Sequence, residues 1–126
     1  MNLGDLVDEF VATRRPGWLV LVDEEVLAQA IDATQYYLGW GTLGGATPSL
    51  DDVAESTEVS ASEWAIISPL FVLLVEKENS LRLEASRSGG LELYGRQSSE
   101  VEADIRIMKD ETLPQRAFMG EPFEVS

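Results

Sequence analysis

Apolar side chains recur at helical spacing through most of this chain. Leu3, Leu6, Val7 and Phe10 share one face of a segment running from Asn2 to Arg14. Asp5, Asp8 and Glu9 lie toward its N-terminal half and Arg14 and Arg15 at its C-terminal end, the arrangement a helix dipole favours, and Pro16 and Gly17 then stop it. A second stripe, Leu27, Ala30, Ile31, Thr34 and Leu38, predicts a helix from Glu24 to about Leu38 with Asp23 as its cap, and Tyr36 and Tyr37 widen its apolar surface. Between these two, Trp18 to Val22 is an apolar run that fits either a short strand or the lead-in to the second helix.

The longest predicted element runs from about Ser62 to Ser88. Ser60 and Glu63 have the spacing of a capping box at its start, and Gly89 and Gly90 end it. Trp64, Ile67, Phe71, Leu74, Leu81 and Ala85 lie on one face, with Ile66, Leu70, Leu73 and Leu83 beside it. The first half is therefore apolar nearly all round, which implies burial between several neighbours. Pro69 either kinks this helix or marks its true first turn, and Glu78 and Arg82 are spaced for an ion pair along it. Leu91 to Tyr94 is a short segment compatible with an extended conformation. Ser99 and Glu102 offer a second capping box for a last helix to about Lys109, with Val101, Ile105 and Met108 on one face.

Two stretches break the pattern. Residues 39–49 are punctuated by Gly39, Gly41, Gly44, Gly45 and Pro48 and read as a loop, and Asp51 to Glu58 is acidic with weak helical character. After Glu111 the chain changes character: Leu113-Pro114 disfavours helix, and Phe118, Met119, Phe123 and Val125 stand out in a polar segment. The expected fold is mainly α: a small helical bundle around a long central helix, with short extended segments. Residues 1–111 form the helical domain and 112–126 an extended C-terminal tail. That tail folds back onto its own domain, docks onto a neighbouring subunit or stays free, and action between molecules is the expectation.

Composition narrows the function. The 126 residues suit one domain, and 44% hydrophobic content is ordinary for a folded protein. The sequence has no cysteine and no histidine. Thiolate chemistry, disulfides, sulfur-bound zinc and triads built on histidine are therefore excluded, so no enzyme, cofactor or metal is expected. Twenty-three acidic residues against nine basic ones give a formal charge of −14. That charge repels phosphate backbones and anionic membranes, so no specific nucleic-acid binding and no membrane association is expected. It suits a basic partner, a place in a larger assembly, or solubility alone. The N-terminal MNLGDLVDEF lacks the basic start and apolar run of an export signal, and the apolar stretch from Trp64 to Val75 is too short to span a bilayer. A soluble intracellular protein is the expectation.

Each candidate site competes with a plainer reading. Gly39-Trp40-Gly41-Thr42-Leu43-Gly44 matches the G-x-G-x-x-G fingerprint, but a helix precedes it where a strand is required, and a loop fits better. Asp51, Asp52, Glu55 and Glu58 supply oxygen ligands without the EF-hand spacing, and a solvated acidic face fits better. With so many acids, chance carboxylate pairs are expected, and nothing marks a glycosidase cleft. Of the three tryptophans, Trp64 reads as core, while Trp18 and Trp40 remain partner anchors, the glycine-flanked Trp40 the better of the two. The candidate interface residues are Trp40, Phe118, Met119, Phe123 and Val125.

The run Ser62-Glu63-Trp64-Ala65-Ile66-Ile67-Ser68-Pro69-Leu70 continues through Glu76-Lys77-Glu78-Asn79 and Leu83-Glu84-Ala85-Ser86-Arg87. With Gly95-Arg96 and Leu113-Pro114-Gln115-Arg116-Ala117-Phe118 it resembles small virion proteins of tailed bacteriophages. Among them the head–tail connector class, the adaptor or head-completion proteins, is the nearest in style over roughly residues 20 to 120. The resemblance carries no catalytic motif. It implies a mainly helical subunit in the neck of the virion, assembled in the host cytoplasm. The subunit would form a ring with copies of itself beneath the portal, contact other neck or tail proteins, and pass DNA through its lumen. The competing expectation is an acidic binding or inhibitor protein that mimics nucleic acid and occupies a basic cleft.

Overall fold

The computed structural model describes residues 1–14, 19, 21–46, 48–86 and 98–120, with the backbone alone for Arg14, Ser86, Met119 and Gly120. The fold is mainly helical, a small bundle around one long helix. In chain order the helices are α1 (Leu3–Arg14), α2 (Asp23–Tyr37), α3 (Ala61–Ser86), α4 (Ser98–Ile107) and α5 (Leu113–Gly120). A 3-10 turn spans Leu50–Asp52, and a π-helical turn, Met108–Thr112, joins α4 to α5. Among the described residues the β structure consists of two isolated bridges, Asn2 with Glu58 and Leu43 with Ala46.

α3 is the centre. Ile66, Ile67, Leu70, Phe71, Leu74 and Val75 are buried, and α2, α4 and α5 pack around the helix. α1 lies on α2 and sends Phe10 to Phe71, edge to face with ring centroids 4.8 Å apart, while Trp64 meets the same ring at 5.3 Å. The expected capping box forms: the Ser60 N–H donates to Glu63 Oε1 (2.9 Å) and the Glu63 N–H to Ser60 Oγ (3.2 Å). Pro69 lies well inside α3, neither in its first turn nor ending it. Past Val75 the cover turns from apolar to polar. Leu81 and Ala85, expected on the buried face, are exposed, whereas Asn79 and Ser80 are buried. Arg82 pairs with Glu25 of α2 rather than with Glu78.

Other helix starts also differ from expectation. Asp23 is the first residue of α2 rather than its cap; the cap position is Val22, whose N–H donates to the Glu25 carboxylate at 3.0 Å. α4 opens at Ser98, whose N–H and hydroxyl both donate to Glu84 of α3 at 2.9 Å. Ser99 is therefore inside the helix, and Glu102 pairs with Lys77 of α3 instead of closing a capping box. α1 begins on Asn2, whose side chain accepts the Asp5 N–H at 2.8 Å. Two further N–H groups at its start, those of Leu3 and Gly4, donate to the carbonyls of Thr57 and Glu55.

The largest departure concerns residues 112–120. The expected extended tail is helical as far as Gly120, and Leu113 and Ala117 are fully buried in the same core as α3. The edge of the domain therefore does not fall at residue 111. On an uninterrupted α-helix Leu113 would sit about 80° round from Ile105 and about 120° from Val101. The wider π turn sets the register back by most of one residue, so that Val101 and Ile105 before it and Leu113 and Ala117 after it face one core. It also accommodates Pro114. The Leu113 N–H bonds back to the Met108 carbonyl, the π spacing, and the widened turn relieves the clash a proline ring makes with the fourth carbonyl before it.

Leu19 and Leu21 are buried and, with Val22, belong to neither helix nor strand. Trp18 and the Gly89-Gly90 stop lie outside the described residues, as do the Leu91–Tyr94 segment, Phe123 and Val125. Truncation tests the core assignment. Phe71→Ala is expected to cost about 3–5 kcal/mol and Leu113→Ala about 2–5 kcal/mol, read from urea unfolding. An unchanged midpoint for Leu113→Ala would show that the core ends before residue 112.

Candidate functional site

The glycine loop is a tight turn. Leu43 and Ala46 exchange both backbone hydrogen bonds (2.9 and 3.0 Å), and Gly44 and Gly45 between them have φ of 60° and 81°, a two-residue turn that side chains other than glycine rarely adopt. The N–H of Gly44 donates to Glu63 Oε2 at 2.7 Å. One carboxylate thus caps α3 and holds the loop, occupying an amide that a phosphate would need. At Gly41 an added Cβ would lie 2.7 Å from the Tyr37 ring, whose hydroxyl donates to the Thr42 carbonyl at 3.0 Å. Gly41 is thus explained by packing, and Gly44 and Gly45 by the conformation of the turn.

Of the acidic residues singled out in the sequence, Asp51 and Asp52 lie in the 3-10 turn, Glu55 packs against Gly4, and Glu58 lies 3.5 Å from the N-terminal amine. Among the described residues no three carboxylates gather as a cation site. No helix there is long and apolar enough to cross a membrane.

Trp40 follows α2, its N–H bonded to the Tyr37 carbonyl, with 52% of its surface exposed. Phe118 projects from α5 and is 68% exposed, on the side away from Leu113 and Ala117. These two stand on separate elements. Met119 continues α5 by its backbone, and Phe123 and Val125 are outside the described residues.

A further apolar surface was not legible as a site in the sequence. A groove of about 510 Å³ lies between α3 and the α4–π turn, walled by Pro69, Val72 and Leu73 on one side and Ile107 and Met108 on the other, with Asp104 and Thr112 at its margin. Ile107 is 53% exposed, and Val72, Leu73 and Met108 are half-buried. A smaller groove of about 320 Å³ adjoins it between α1 and α3, and Val72 lines both. The sequence signal was the apolar circumference of α3, which implied neighbours on every side; α4 covers one flank and leaves this one open.

The two flanks of α4 differ in charge. On one, Glu102 takes Lys77, and Arg106 and Lys109 add to the positive field around it; the Lys77 hydrogen bond holds the Glu102 carboxyl below the usual carboxylate range against the desolvation that raises it. Lys109 also stands 5.1 Å from the centre of the Tyr36 ring, and the Tyr36 hydroxyl donates to the Lys109 carbonyl in the π turn at 2.8 Å. On the groove flank, helical spacing within α4 aligns Glu100 and Asp104 with Ile107.

No family model, curated protein or solved structure matches this chain.

Glu25 is likewise held below the usual carboxylate range, first by the Val22 N–H and then by Arg82. Both depressed glutamates contribute stability that is present above their unfolded-state pKa and lost as pH falls through the lower folded-state value. The double variant Glu25→Gln/Glu102→Gln is therefore expected to melt below the wild type at neutral pH. The gap should close as pH drops below the ordinary glutamate range, and shrink with added salt because both pairs are solvent-accessible. A gap independent of pH would contradict this assignment of the two pairs.

Proposed function

We propose that this protein is a non-catalytic assembly component that works by docking other proteins, and that its specific form is the head–tail connector of a tailed bacteriophage: a ring subunit in the virion neck that contacts the portal and other neck or tail proteins. The observation that carries the docking reading is the open apolar groove beside α3, with Ile107 more than half exposed in an otherwise strongly acidic chain. Exposed Trp40 and Phe118 offer further contact points on other elements. The connector form rests on the sequence resemblance, and the charge of −14 suits a lumen that DNA traverses without being gripped.

A second reading, an acidic protein that binds a basic partner as a soluble inhibitor, is favoured by the carboxylates beside that groove. Mimicry of a nucleic-acid backbone fits less well, since exposed acids fall on α1, α2, the 50–58 segment and α4 rather than along one face.

Mass measurement by light scattering on the purified full chain, with electron microscopy of the same sample, separates the two. A connector is expected to form large closed rings, alone or on addition of a portal assembly. A particle that stays monomeric or dimeric under both conditions would contradict the connector reading.

A further inference from the structure

We propose that the groove between α3 and the α4–π turn is a docking site for an amphipathic, basic helical segment of a different protein. The inference deepens the docking reading above by naming the partner's chemistry. Its walls are those a helix-in-groove site needs: apolar side chains from two elements, Pro69, Val72 and Leu73 of α3 facing Ile107 and Met108. Three of these walls are aliphatic or thioether side chains that are half-buried, so a partner side chain seated there adds burial to residues already positioned by the core.

Charge selects the occupant. Asp104 lines the trough, and Glu100 stands one helical turn before it on α4. Lys77 and Lys109 are engaged elsewhere, Lys77 with Glu102 and Lys109 over the Tyr36 ring. An incoming helix with lysine or arginine on either side of its apolar stripe finds complementary charge along that rim. A second copy of this groove face brings carboxylates against carboxylates, on a chain that already carries −14.

The structural origin of the groove supports the same assignment. The π turn that sets α5 back into register also ends α4 at Ile107 and places Met108 in the trough wall and Thr112 at its margin. Turns of this kind occur frequently at functional positions.

The test uses the full chain and a fluorescent synthetic helix with leucines at i, i+3, i+7 and lysines elsewhere, followed by anisotropy at physiological salt. Two control peptides accompany it, one of the same composition scrambled and one with glutamate for lysine. The leucine–lysine helix is expected to bind about tenfold or more tightly than the scrambled peptide, and the glutamate version not at all. Ile107→Glu should weaken binding about tenfold with circular dichroism and melting unchanged. That variant adds negative charge, so the loss reports the apolar contact. Asp104→Lys should weaken binding several-fold.

Equal binding of the scrambled peptide would reduce the effect to net charge and overturn the proposal, as would full affinity in Ile107→Glu. Binding that emerges only after removal of residues 121–126 would make the chain's own C-terminus the occupant. A wild-type dimer that Ile107→Glu converts to monomer would make it a second copy. Assembly is scored separately: rings without peptide binding would leave the proposed function standing and sink this inference, whereas peptide binding without rings would do the reverse.

Discussion

The structure depends on enclosing one helix. α3 is apolar around nearly its whole circumference through residues 64–75, and a helix of that kind is stable only with most of its surface covered. Its neighbours are arranged by that requirement. α2 covers one side, α4 and α5 another, and α1 closes part of the remainder by placing Phe10 against Phe71. Burial of Ile67, Leu70, Phe71 and Val75 at 1% exposure or less is the apolar gain against which chain ordering must be set. The polar connections refine this arrangement. Glu63 ties the start of α3 to the 43–46 turn, Glu84 receives the start of α4, and Tyr36 fastens α2 to the π turn.

Much of this was legible from side-chain spacing. The stripes of α1 and α2, the central place of α3, and the Ser60–Glu63 capping box follow from rules that act within one turn of helix, and such rules need only the local sequence. What was not legible depends on partners distant in the chain. Ser99 and Glu102 have capping-box spacing, yet Lys77 and Glu84 on α3 offer charges that reorganise both ends of that motif. Glu78 and Arg82 have ion-pair spacing, yet Glu25 competes across the α2–α3 contact. Leu113-Pro114 reads as a helix stop by local sterics. The π turn removes the steric objection, and burial of Leu113 and Ala117 outweighs the propensity.

The candidate surface shows the same limit. Trp40 and Phe118 were found because bulky apolar residues in a polar stretch are conspicuous, and both are exposed. Val72, Leu73, Ile107 and Met108 were not, because each belongs to a helix whose apolar residues are expected inside. Whether such a residue ends up in the core or on an open flank is decided by where the next helix crosses. Here α4 crosses so that Val101 and Ile105 face inward and Ile107 faces out, and the missing cover on α3 becomes a groove.

The central claim is that the Val72–Leu73 flank of α3 is left open while the side carrying Ile67, Leu70, Leu74 and Val75 is sealed. Methyl NMR of the full chain with a soluble paramagnetic agent measures this directly. Methyls of Val72, Leu73, Ile107 and Met108 should relax strongly, while those of Ile67, Leu70, Leu74, Val75 and Leu113 stay protected. Equal protection of both sets would show that the flank is covered in solution, and the docking account would fail with it.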